Sequence, residues 1–316
     1  MMTPMALEEN VARGEGLATL AARLCRKSVD KHHDAYGDVA WDAPENRLDP
    51  ADPRWIVGAD RGLGRTRWYR DLAPEVQARL GLHLIVCAME TGWQFENVLS
   101  RGLLELAFEQ PDPWVRRYAY HELIEEAQHT LMFQEFVRRS GLPAPGLPVR
   151  QRRLAGRVVS RARAFPELFF VFVLGGEDPI DHAQRTVLAG ERALHPLVRR
   201  IMQIHVTEEA RHLAFARAYL RERAPRLGTR ERTALCLLAP VVLGQMTRLM
   251  LGVPAFVAER YRIPATVLEE VRGDPAERAH LSGSLDKVRS LLSELGLIPT
   301  WTRPVWRGLG VLGSQA

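Results

Sequence analysis

Lysine is almost missing from this chain. Of 43 basic residues only Lys27, Lys31 and Lys287 are lysines, and arginine carries the rest of a net charge of +5. The arginines are scattered, the densest run being Arg150 to Arg163. A nucleic-acid partner normally leaves a clustered basic stripe with interleaved aromatics, and none is expected here. Cysteine is scarce too. Cys25, Cys87 and Cys236 stand far apart and form no CxxC pair, a usage that suits a reducing compartment. The first residues hold no basic segment followed by a long apolar one, so the expected localisation is cytoplasmic. The longest apolar stretches, Phe165 to Leu174 and Ala234 to Leu243, fall short of the ~20 residues of a membrane span, and none is expected. No convincing strand alternation and no flavin or nicotinamide fingerprint appears. The segment RGLGRT at 61–66 lacks the Gly-Lys-Ser/Thr ending of a phosphate loop.

What is present is helical periodicity. A first helix is predicted from Glu8 to His32, with Leu17, Leu20, Ala21 and Leu24 on its apolar stripe. His32 and His33 then read as solvated surface histidines. Residues 36–74 read as a loop, held to the body by Trp41, Trp55, Trp68 and Tyr69. Four long helices follow, at about 75–109, with a break at Gly92 in view, then 114–139, 150–190 with a bend around Pro166, and 195–223. Pro111-Asp112-Pro113 turns the first pair, and Ser140-Gly141 ends the second helix. More helix is predicted at 230–260 and 264–295, and Trp301 and Trp306 are expected to pin the tail. The fold class is therefore all-α: a four-helix bundle over about 75–225, with residues 1–74 and 226–316 packed on it as parts of one domain.

The chemistry lies in two of these helices. The segment Ile201 to Tyr219 carries His205, Glu209 and His212. At about 100° per residue these three fall within a wedge of about 60° on one helix face. The second core helix repeats the Glu-x-x-His spacing in Glu126 and His129. The third offers Glu177, directly after an apolar run, where an unpaired carboxylate would be costly. The first offers Glu96 or Glu90. If the hairpin turns at Pro111, Glu126 faces position 95, which favours Glu96; that residue also shares a stripe with Ile85, Met89, Leu99 and Leu103. One Glu from each of two helices plus Glu-x-x-His from the other two is the ligand pattern of a carboxylate-bridged di-iron site. Glu125 and Glu208 each lie about 40° from a histidine four residues away, so helix geometry leaves them open as ligands, as solvated groups or as groups that hold a ring N–H. Tyr118, Tyr120, Phe172 and Gln203 are candidates for the cavity wall.

With Glu96, Glu126-x-x-His129, Glu177 and His205-x-x-x-Glu209-x-x-His212, residues 75–225 resemble the AurF-type family of p-aminobenzoate N-oxygenases. The third histidine, His205, sharpens that resemblance over di-iron proteins in general. The distance from Glu96 to Glu126 is a little short for the family, and Glu90 would come closer. The resemblance implies a ferritin-like bundle and two iron ions, with manganese also compatible with the ligand types. Four carboxylates and three neutral imidazoles would balance two Fe(II) ions. It further implies O2-dependent oxygenation of an amine nitrogen towards hydroxylamine, nitroso and nitro levels. Electrons would come from a separate ferredoxin or reductase, and a homodimer is an expectation of the same kind. A di-iron hydroxylase or desaturase acting on carbon, and a ferritin-like iron-binding protein, are the alternatives.

Overall fold

The computed structural model describes residues 16–190 and 192–313, and all regular structure among them is helical. The first helix, α1, spans Leu17–Asp30 and buries Leu17, Leu20, Ala21 and Leu24. The part of the predicted helix before residue 16 lies outside the described residues. The segment 36–73 is a loop with short 3-10 turns and a one-turn helix, Arg67–Arg70. Trp41, Trp55 and Tyr69 bury in it as expected. The indole N–H groups of Trp41 and Trp55 donate to Ala35 O and Asp49 O, and the Tyr69 hydroxyl donates to Gln77 O.

The bundle is α2 (Pro74–Glu109), α3 (Pro113–Ser140), α5 (Pro166–Ala189) and α6 (Pro196–Arg223), with α4 (Val149–Ala162) lying in the crossover. Proline at the first turn of each bundle helix lacks only an N–H that would have no helical partner there. Asp112 caps α3 by accepting from Trp114 N and Val115 N, and Gly141 ends it at φ 63°, a left-handed conformation that suits glycine. α2 runs unbroken through Gly92. The predicted third helix, by contrast, is two. Phe165 sits at φ −145°, ψ 67°. A residue before proline is sterically pushed out of the helical region, so Pro166 starts a new helix and does not merely bend one.

α7 (Thr229–Leu251) packs along α5. Both predicted C-terminal helices are divided by prolines and turns: 230–260 into α7 and α8 (Ala255–Arg260), and 264–295 into α9 (Ala265–Gly273), α10 (Pro275–Gly283) and α11 (Asp286–Glu294), before the short α12 (Arg303–Gly308). Trp306 is fully buried and pins the tail, whereas Trp301 is 55% exposed. The stretch 229–260 is long and apolar enough to cross a membrane by length and composition, more than its most apolar core, 234–243, suggested. Half of its most apolar window is buried inside the protein.

Two apolar clusters fill the bundle. One gathers Val98 to Leu103 of α2 with Tyr118 of α3, Phe169 to Leu174 of α5 and Leu213 to Leu220 of α6. It also takes in Val288, Leu291 and Leu292 of α11, so the C-terminal helices share the bundle core. The other cluster gathers Ala78 to Met89 of α2 with Met132 to Phe136 of α3 and Leu197 to Ile204 of α6. Between them lies a polar layer, closed off from water by the two clusters. The architecture is an all-α, ferritin-like four-helix bundle with additional helices on both sides of it in the chain.

Candidate metal centre

The polar layer contains Glu96 from α2, Glu126 and His129 from α3, Glu177 from α5, and His205, Glu209 and His212 from α6. None of the seven is more than 2% exposed. Their ligand atoms form overlapping groups within 4.8 Å: Glu96, His129 and His205; Glu126, His129 and Glu209; Glu177, His205 and Glu209. Glu90 lies outside this layer, half-buried, and accepts from Gln94 Nε2 at 2.8 Å. The hairpin register thus puts Glu96 inside and Glu90 outside.

Close helix approach brings the two single carboxylates together. A Cβ on Gly176 would lie 2.2 Å from the Phe95 ring, and one on Gly102 would lie 2.1 Å from Phe169. Glycine at both positions lets α2 and α5 pack closely, which sets Glu177 beside Glu96. On the other two helices, the i, i+3 spacing places each histidine over its glutamate. His129 Nδ1 lies 3.2 Å from Glu126 Oε2, and His212 Nδ1 lies 3.0 Å from Glu209 Oε1 and 2.9 Å from Glu126 Oε1. His205 directs Nε2 to Glu96 Oε1 at 3.5 Å and Glu209 Oε1 at 3.9 Å.

The far ring nitrogens are held crosswise. His129 Nε2 lies 2.9 Å from Glu208 Oε2, and His212 Nε2 lies 2.7 Å from Glu125 Oε2. These two histidines are therefore each oriented by a carboxylate from the opposite helix, one of the roles that spacing left open for Glu125 and Glu208. Protonated at Nε2, both rings would present a bare Nδ1 to the layer. Arg211 Nη2 lies 2.8 Å from Glu125 Oε1 and 3.6 Å from Glu208 Oε1. His33, expected from the sequence to be solvated, instead meets Glu208 Oε1 through its ring at 2.9 Å and its backbone N–H at 3.1 Å. The reason is tertiary: α1 packs across α3 and α6 and carries His33 to that carboxylate.

Burial and the facing Glu126 and Glu177 push Glu96 well above the usual carboxylate range. Burial, Glu209 and Glu126 do the same to Glu177. Burial also works against ionised Glu126, but His212 and His129 beside it outweigh that and hold it low. Burial opposes the charged form of His129 as well, yet its bonds to Glu126 and Glu208 prevail and raise it to about 10. At His205 burial wins and takes the ring down to about 4. So many carboxylates in a dry layer need positive charge, and without a cation protons must supply it. Glu96 Oε2, Glu177 Oε1 and Glu209 Oε2 are buried with no hydrogen-bond partner. Clustered, unsatisfied carboxylate oxygens with bare imidazole nitrogens fit the coordination of iron-type cations.

Sequence reasoning passed over Glu122 and Arg211. Glu122 is 1% exposed, groups with Glu126 and His212, and is pushed up to about 8 by burial. It lies one turn before Glu126, so helix spacing alone placed it on the same face. Of the wall candidates, Tyr118 is fully buried and Phe172 packs on Phe95 with ring centroids 5.2 Å apart. Tyr120 and Gln203 are exposed and turn away.

A family model described as P-aminobenzoate N-oxygenase AurF matches residues 15–296. Uncharacterized proteins from Mycobacterium tuberculosis and Mycobacterium bovis are 38% identical to the chain over 300 residues, covering 94% of this chain and 88% of each relative. No solved structure matches it.

Proposed function

The chain belongs to the p-aminobenzoate N-oxygenase AurF family of di-iron oxygenases, and from that premise we propose that it oxygenates the nitrogen of a small, largely apolar amine with O2. The observation that carries this is the meeting of seven ligand-type side chains in one sealed layer. Glu96, Glu126, His129, Glu177, His205, Glu209 and His212 would hold two iron ions. Bound iron would supply the activation of O2, which no protein side chain can provide.

The chain's own residues do the rest. Glu208 and Glu125 hold His129 and His212 by Nε2, so both rings keep Nδ1 towards the layer. The two apolar clusters exclude water from the carboxylates. An apolar cavity of about 260 Å³ lies among α2, α4, α5 and α7. Phe95 and Phe172 form part of its wall. Phe95 precedes Glu96 and lies against Gly176, which precedes Glu177, so the cavity backs onto the layer at its two single carboxylates. Leu154, Leu238 and Val241 are partly exposed and open it to the surface. Burial of an aryl or alkyl body there would orient the amine, with Gln151, Arg157, Arg161 and Gln245 as polar contacts. Electrons come from a separate donor, a ferredoxin or reductase.

Loading the chain with Fe(II) without oxygen, then adding O2, a reductant and an arylamine, tests this reading. Hydroxylamine, nitroso or nitro product carrying oxygen from O2 is the expected result. Hydroxylation at carbon would replace nitrogen by carbon as the target. A ferric mineral with no organic product would overturn the oxygenase reading altogether.

A further inference from the structure

A larger cavity, about 640 Å³, lies on another side of the bundle, among α1, α5, α6 and α11. Its lining is charged. The chain has three lysines, and all three, Lys27, Lys31 and Lys287, line this one cavity. Five arginines join them, against three aspartates. Part of this charge is balanced locally: Asp181 accepts from Arg185 Nε at 2.7 Å, Arg221 Nε donates to Glu294 Oε1 at 3.1 Å, and Asp286 pairs with Arg289. The basic side chains of the lining come from segments far apart in sequence.

Arg211 and Arg217 give the cavity a buried cationic wall. They are only 5% and 9% exposed. Their Nη2 groups meet Glu125 and Asp178, but each has a buried Nε with no hydrogen-bond partner. A desolvated guanidinium donor is costly unless an acceptor meets it. An anion inside the cavity would supply that acceptor. Arginine forks match phosphate and carboxylate oxygens, while lysines act as mobile point charges. Leu24, Leu213 and Leu291 supply apolar wall beside the charge.

We propose that this cavity binds a small polyanion bearing two or more phosphate or carboxylate groups. Its volume falls in the range of small-molecule sites, roughly 300–1,000 Å³. The site is independent of the oxygenation chemistry, but not remote from it. Arg211 contacts both Glu125 and Glu208, the carboxylates that orient His212 and His129. An occupant that engaged Arg211 would lie one side chain away from those carboxylates.

Calorimetric titration of the full chain at constant ionic strength, with inorganic pyrophosphate and with citrate, tests the site. One anion per chain is expected, and the stronger of the two probes identifies phosphate or carboxylate as the recognised group. The double substitution Lys27→Gln/Lys287→Gln should weaken binding by about tenfold or more. Lys31→Gln alone, which removes one charge and not two, should weaken it less. The control pair Arg150→Gln/Arg153→Gln on exposed α4 should change nothing, with circular dichroism checking the fold of each variant. Failure of both anions to bind at millimolar concentration would overturn the proposal. Equal loss in the lysine and control pairs would show general charge screening and overturn it too. Unchanged binding in the lysine pair would place the anion elsewhere, with the same consequence.

Discussion

Behind α2 and α5 the polar layer is backed by Phe95, Phe172 and an apolar cavity; between α3 and α6 it is backed by Glu125, Glu208 and Arg211, and Arg211 also lines the basic cavity among α1, α5, α6 and α11. Each of the first two helices contributes one glutamate, set by glycines that allow close packing. The other two contribute histidine and glutamate together, set by ion pairs. The difference teaches how one buried layer can serve two needs. An apolar wall leaves room for an uncharged body and excludes water. A charged wall fixes imidazole orientation, because a ring nitrogen can be held only by a polar partner.

Experiments that alter one side at a time test this contrast. The largest effect is expected where the layer itself is cut. Glu209→Ala removes a carboxylate placed between the histidines, and iron content after anaerobic loading should fall from two ions per chain to one or fewer. Retention of both ions would remove Glu209 from the ligand set. On the charged side, Glu208→Gln leaves the ligand types intact but weakens the hold on His129. Iron affinity should fall by about 10–100-fold, as for other partners of ligating histidines, in competition with a chelator. On the apolar side, Gly176→Ala drives a methyl into the Phe95 ring. Stability should fall by about 1–3 kcal/mol in denaturant unfolding of the metal-free chain, and an unchanged midpoint would show that α2 and α5 have slack between them.

The smallest effect belongs to the outer face of α3. Arg138 and Arg139 hold Glu135 down to about 2. A carboxyl lowered on folding stabilises above its unfolded value, and that contribution is lost as pH falls through the folded one. Glu135→Gln should therefore cost about 0.5–1 kcal/mol at neutral pH, and the difference from the parent chain should shrink between pH 5 and about 2. A difference that grew with acidity would reverse the assignment.

Much of the layer is legible in the sequence because helix spacing is rigid. Glu126 and His129, or Glu209 and His212, share a face whatever the rest of the chain does. Glu96 is preferred over Glu90 because the turn at Pro111 sets the register of the hairpin, and Glu96 is the one found in the layer. Phe165 is less legible: Pro166 could bend a helix or start one, and only the backbone around it shows a break. His33 reads as solvated because its partner, Glu208, is 175 residues away. Arg211 reads from sequence as one arginine among many until Glu125 of another helix lies beside it.

The chain's own pattern determined an all-helical bundle and the residue types that share each helix face, since both follow from the 3.6-residue period and from proline and glycine punctuation. Tertiary structure alone decided that Glu125 would hold His212 and Glu208 would hold His129, that the two cavities would differ in polarity, and that three scattered lysines would line one of them. Those outcomes depend on how helices distant in sequence pack together, and local spacing carries no information about that.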